Sequence, residues 1–344
     1  MKSGQTREPG PRIREPYEQM PGRLAKVDDS RGIAWRLVNI IRRASPRRAL
    51  RFASAYIRGE HYERPVFIIG APRSGTTLLF ELLKSSNALD GLPWEGHDVW
   101  RAFHHPRWSG WDSDVIEANS VRFGERRFVN GFFYAYLGRC RLVEKTPANA
   151  LRVPYLLDLF PDATFVTVKR NPCEVISSLI NGWRDPGGRF RSYYVPDKLS
   201  ISGHPHQHMW CFTLIEGWRD YKAQPVPEIA FAQWDDHTRG IEEARSLVDQ
   251  SRWLEICLED LLERPEEAVS SLCATIGIDE EPALLAKLNE SRARPVNALS
   301  SPEEAKWRRE NGEELRQLLP RIAEVAPNRG YIVDPRTGDC EPVR

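Results

Sequence analysis

The sequence predicts a three-layer α/β fold, a central parallel β-sheet flanked by helices, with a helical arm ahead of it. Three observations carry the prediction. Val66-Phe-Ile-Ile69 is a short apolar run, which reads as a strand buried on both faces. Gly70 to Gly75 is a turn with glycine at each end, and helical apolar spacing begins at Thr76 through Leu78, Leu79, Leu82 and Leu83. Further on, Arg141 to Asn149 reads as a strand and a turn, and with a short helix reaching about Leu159 and a strand ending at Arg170 it forms a βαβ unit, which requires parallel strands.

Taken in order, residues 1–22 are rich in Pro, Gly and charge and read as a loose leader. From Gly32 to Gly59 the apolar spacing is helical, and Ser45-Pro46 splits it into two amphipathic helices. Residues 1–63 are thus a leader plus helical arm, 64–334 the main domain and 335–344 a polar tail. The first 64 residues hold 15 Lys and Arg against 7 Asp and Glu. That excess reads either as a solvated basic face or as a patch for an acidic partner or membrane surface.

The whole chain of 344 residues carries a net charge of only +1, which gives no overall nucleic-acid or membrane signature. Six scattered cysteines include no CxxC pair, so neither a disulfide framework nor a zinc site is expected. Cys140, Cys173, Cys211, Cys257 and Cys273 read as core thiols of a reducing compartment. No leading apolar segment or membrane-length apolar run is present, so the expectation is a cytoplasmic protein without a transmembrane segment.

Strand, glycine-bounded loop and helix together aim backbone N–H groups and a helix N-terminus at an anion. The spacing Gly70 to Gly75 is that of a Walker A loop, but Thr76 stands where its lysine belongs and the cation is inside the loop as Arg73. A loop without that lysine is poorly equipped for a triphosphate. A kinase would also need an acidic metal ligand at a second strand's end, whereas Asp158 and Asp162 precede the strand.

Gly70-Ala71-Pro72-Arg73-Ser74-Gly75-Thr76-Thr77 resembles the 5′-phosphosulfate loop of sulfotransferases that use PAPS, 3′-phosphoadenosine 5′-phosphosulfate. The resemblance implies a P-loop-like sulfotransferase fold and a second motif, a strand ending in arginine with serine eight residues later. Arg170 and Ser178 supply it for the 3′-phosphate. In that family the segment after the loop helix carries the catalytic base, commonly glutamate. Glu95 matches by order and spacing, and burial beside Trp94 is expected to raise its pKa. His97 is the rival base. Glu144-Lys145-Thr146-Pro147 extends the resemblance, with Lys145 placed to stabilise charge on the departing oxygen. Lys306-Trp307-Arg308 resembles a segment that closes over the nucleotide. The family implies PAPS as cosubstrate, PAP as product, a hydroxyl-bearing acceptor (phenol, carbohydrate, glycolipid or natural product) and no metal. An inactive PAP-binding protein is the other alternative.

Three further stretches remain. Phe103-His-His-Pro-Arg-Trp108 reads as an acceptor-site loop. His204-Pro-His206-Gln-His208 reads as the lead-in to a helix through Trp210, Leu214, Trp218 and Tyr221. Arg252 to Asp260 reads as another strand, followed by a helix ending near Gly277.

Overall fold

The computed structural model describes residues 45–279, 281–293 and 305–343. The chain divides into two units, Met1–Arg47 and Arg48–Arg344. The leader, the first helix of the arm and most of the loop before Lys306 lie outside the described residues. The second arm helix is α1 (Pro46–Arg58), which buries Phe52 and Ala55.

The elements then follow as β1 (Val66–Ile69), α2 (Thr76–Lys84), β2 (Leu89–Asp90), α3 (His97–His104), α4 (Glu125–Leu137), β3 (Arg141–Glu144), α5 (Val153–Leu159), β4 (Thr164–Lys169) and α6 (Pro172–Trp183). A hairpin follows, β5 (Arg191–Tyr194) and β6 (Met209–Cys211). Next come α7 (Val226–Arg245), β7 (Trp253–Cys257), α8 (Leu258–Glu263), α9 (Pro265–Ile276), α10 (Glu281–Ala293), α11 (Trp307–Glu310), α12 (Gly312–Val325), β8 (Tyr331–Val333) and β9 (Cys340–Pro342).

The central sheet runs β2-β3-β1-β4-β7. All its pairings are parallel, with Val66 opposite Val143 on one side and Thr164 on the other. Strand β1 therefore sits where the chain switches from building leftward to building rightward, the place where open α/β sheets bind ligands beyond the strands' carboxyl ends. Side-chain alternation makes the three layers. Val66, Ile68, Val166 and Val168 pack with Leu79 and Leu83 of α2, Leu272 of α9 and Leu284 of α10. Phe67 faces the other way, its ring 5.5 Å from Phe160 and 6.2 Å from Trp100. Helices α6, α7 and α12 share a second core with the β5–β6 hairpin.

Several expectations change. The helix through Trp210, Leu214, Trp218 and Tyr221 is not formed. Met209–Cys211 instead pairs antiparallel with Arg191–Tyr194, and Gly217, at φ 63°, breaks the segment before a short 3-10 turn. The strand expected to reach Asp260 stops at Cys257, because Leu258 opens α8. Of the cysteines expected in the core, Cys173, Cys211 and Cys273 are buried while Cys140 and Cys257 are only half-buried. Part of the expected polar tail turns back, and Cys340–Pro342 pairs with Tyr331–Val333.

Candidate active site

The loop after β1 is built for close approach. A Cβ on Gly70 would lie 2.7 Å from Ser74 Oγ and 2.9 Å from the Val168 carbonyl, so only glycine fits without displacing the loop. Gly75, at φ 100°, turns the chain into α2, whose N-terminus has no side-chain cap. The first N–H groups of a helix have no carbonyl partner within it, and here they open onto the loop. Ser74 Oγ is buried and has no hydrogen-bond partner. Arg73 takes the left-handed conformation, at φ 75°, which costs a non-glycine residue roughly 1–2 kcal/mol.

That strain is held by contacts from the second motif. Arg73 Nε donates to Ser178 Oγ at 3.1 Å, and the Arg73 carbonyl accepts from Arg170 at 3.0 Å. Arg170 follows β4 directly, beside β1 in the sheet. Asn171 then caps α6 by accepting from Cys173 N–H, and Ser178 lies two helical turns beyond Arg170 on one face with Glu174. The guanidinium of Arg73 also lies 4.9 Å over the Phe190 ring. Burial, then the neighbouring charges of Arg170 and Arg189, press its pKa down to about 10. Crowded like charges of this kind are relieved by a polyanion. The Gly70–Gly75 loop and the Arg170–Ser178 segment, about a hundred residues apart in sequence, thus meet at Arg73.

The third group lies beyond β3. Lys145 is buried and donates from Nζ to Glu95 Oε1 at 2.5 Å, while Glu95 Oε2 lies 2.9 Å from His97 Nε2. Burial pushes the Glu95 carboxyl up, but the His97 hydrogen bond and the Lys145 charge outweigh it and bring it down to about 2. This corrects the expectation of a raised pKa. Trp94 is exposed, packed edge-on to Tyr136 at 5.3 Å, and does not isolate the carboxylate from charge partners.

One residue of the site escaped sequence reading. Glu144, the last residue of β3, is fully enclosed. Its Oε1 accepts from Thr146 Oγ1 at 2.5 Å and from Gly96 N–H at 3.3 Å, and its other oxygen accepts from Asn149. Thr146 Oγ1 also accepts from Gly96 N–H at 2.8 Å. Glu144 thereby fastens the Glu95–His97 turn to the strand that carries Lys145. The signal was an acid between apolar Leu142-Val143 and Lys145, since a buried carboxylate needs several donors.

The remaining candidates scatter. Trp307 is buried, and its N–H donates at 3.3 Å to Glu174 Oε1, whose partner oxygen is 3.6 Å from Arg170. Lys306 pairs with Glu310 at 3.5 Å. Arg308 turns away to Asp339 and the Thr337 carbonyl. Of the expected acceptor loop, Phe103 is core, with its ring 5.1 Å from Phe128, and His104 pairs with buried Glu125 at 2.9 Å. His204 spends its ring on the Met209 and Trp183 carbonyls.

Residues 65–204, which hold the loop, Glu95, Lys145, Arg170 and Ser178, match the sulfotransferase family. Over that stretch the chain is similar to sulfotransferases. A relative from Mycobacterium bovis, omega-hydroxy-beta-dihydromenaquinone-9 sulfotransferase Stf3, is 23% identical across 66% of this chain and 66% of its own length. Nodulation protein NoeE of Sinorhizobium fredii is 26% identical across 62% of this chain. The match spans half the length of NoeE. The crystal structure of sulfotransferase STF9 from Mycobacterium avium covers 88% of this chain and 91% of its own, with a TM-score of 0.55 and 16% identity, which establishes the shared fold.

Proposed function

We propose that this chain is a sulfotransferase that moves a sulfuryl group from PAPS to the hydroxyl of a small-molecule, glycan or lipid acceptor. The observation that carries the reading is the meeting of two anion motifs at Arg73. A nucleotide phosphorylated at both its 5′ and 3′ positions has the two charges such a surface calls for. The unpartnered Ser74 hydroxyl and the close approach permitted by Gly70 fit an anion seated in the loop.

Bound there, PAPS supplies an electrophilic sulfur and a stable phosphate leaving group. The loop from Gly70 through Ala71, Pro72 and Ser74 to Gly75, with Arg73, Thr76 and Thr77, holds its 5′ end by backbone and guanidinium donors. Arg170 and Ser178 hold the 3′-phosphate, and Trp307 backs them through Glu174. Glu95 takes the acceptor's proton as that oxygen bonds to sulfur and the bridging S–O bond breaks. Lys145 answers the charge left on the departing oxygen. Because Lys145 is part of what keeps Glu95 acidic, its turn toward the leaving group raises the proton affinity of Glu95 when a base is required. His97, on the other carboxylate oxygen, orients Glu95 and is the neighbouring proton acceptor.

The name of the M. bovis relative attaches its activity to an omega-hydroxylated dihydromenaquinone, which supports a hydroxyl acceptor here. A kinase reading fares worse. Asp162 accepts from Arg64 N–H at the amino end of the sheet, opposite the loop, and Asp158 lies on α5 accepting from Asn119 N–H. The test is transfer from PAPS to a panel of phenol, sugar and long-chain alcohol acceptors, with product mass as the readout. Sulfated product from the wild type is the expected result. PAP binding with no transfer to any acceptor class would make the chain a nucleotide-binding protein instead.

A further inference from the structure

The three most exposed large apolar side chains among the described residues are Phe123 at 97%, Ile57 at 77% and Leu50 at 71%. They gather at one edge. Leu50, Ala53 and Ile57 make an exposed stripe along α1, opposite Phe52 and Ala55, which bury the other face. Phe123 stands just before α4, and the Tyr56 hydroxyl of α1 comes within 2.9 Å of where a Cβ on neighbouring Gly124 would be. Phe52 completes the junction, edge-on to Phe128 of α4 at 5.5 Å.

The exposed charge on the two helices of this apolar edge is mostly positive. Helix α1 contains no acidic residue, and Arg51 and Arg58 are exposed beside the stripe. On the α4 side Arg126 and Arg127 are exposed as well. Nearby Glu60 is paired with Arg139 at 3.2 Å, and Glu125 is buried against Tyr155 and His104. An apolar stripe flanked by arginines, on a helix without acids, is the arrangement that lies in an anionic lipid interface, with apolar groups at the acyl boundary and guanidiniums among the headgroups.

We propose that the α1–α4 edge docks this protein peripherally onto an anionic bilayer surface. The proposal stands apart from the PAPS reading, because no residue of the anion surface takes part. The edge is nevertheless coupled to the site. Arg48 of α1 lies 4.7 Å over Tyr136, and Tyr136 packs against Trp94, the residue before Glu95.

The test is flotation of the full chain with phosphatidylcholine vesicles and with vesicles also containing phosphatidylglycerol. The wild type is expected to float with the anionic vesicles only, and to be released by salt, since screening shortens the reach of surface charge to about 3 Å at 1 M. Leu50→Glu combined with Ile57→Glu is expected to weaken that binding by roughly tenfold or more, and Arg51→Glu with Arg58→Glu likewise. Leu247→Glu, at an exposed apolar residue just after α7, is expected to leave it unchanged. Each variant is compared at an unaltered melting temperature and PAP affinity, so loss of folding or of the nucleotide site is seen separately. No flotation of the wild type, equal flotation with both vesicle types, or variants that float like the wild type would each overturn the proposal. So would a wild-type dimer that Leu50→Glu splits, because a second copy would then occupy the edge.

Discussion

Glu95 sits between Lys145 and His97, and its chemistry follows from that. An isolated carboxylate beside an indole would be pushed up, whereas Lys145 at 2.5 Å and His97 at 2.9 Å bring this one down to about 2. It is ionised at any working pH, and its basicity is set by where Lys145 points. Glu95→Gln is expected to lower turnover by about 10²–10⁴-fold while PAP affinity, read by calorimetry, stays at the wild-type value. Retained turnover would move the base to His97, with His97→Gln as the deciding variant. Glu144→Ala probes positioning. It strands donors on Thr146, Asn149 and the Trp100 indole, and should cost on the order of 3 kcal/mol in unfolding free energy and slow turnover with PAP binding preserved. A loss of PAP affinity equal to the loss of turnover would contradict that division of labour.

At the scale of elements, the loop between β1 and α2 and the long helix α7 make the clearest commitments. Gly70→Ala would drive a methyl against the Val168 carbonyl, which belongs to a central strand and cannot yield. A destabilisation of about 1–3 kcal/mol with weakened PAP binding is expected from thermal melts and calorimetry. In α7, His237 is fully buried, donating from Nδ1 to the Gln233 carbonyl at 2.6 Å and accepting from the Thr213 hydroxyl at 3.0 Å. Burial pushes its pKa down to about 4. The unfolded imidazole binds a proton near pH 6.5, so this contribution to stability is complete above about 6.5 and is lost as pH falls toward 4. Wild-type melting temperature should drop across that window, and the drop should shrink in His237→Gln. An equal drop in both would assign it to other groups.

These elements also show what the sequence disclosed. The β1 loop was legible because its glycines, arginine and threonines are adjacent in the chain and their roles are local. The helix assigned across Trp210 to Tyr221 failed because spacing alone cannot see a distant partner. Trp210 faces the core as a strand residue paired with Tyr193, and its indole N–H is satisfied by the Thr213 carbonyl. The acidity of Glu95 was equally hidden, since Lys145 is fifty residues away in the sequence.

Across the whole molecule, the sheet order does the assembly. Placing β4 directly beside β1 carries Arg170 and Ser178 to the rim of a loop a hundred residues earlier, and β3 on the other side delivers Lys145 to Glu95. The account thus rests on one nucleotide being gripped at two phosphates by two neighbouring strand ends. Calorimetric titration of the wild type and Arg170→Ala with PAP and with adenosine 5′-phosphate tests this directly. The expected result is tighter binding of PAP by the wild type and a tenfold to hundredfold loss in Arg170→Ala that falls on PAP and spares adenosine 5′-phosphate. Equal affinity of the wild type for the two nucleotides, or an equal loss for both in the variant, would contradict the account.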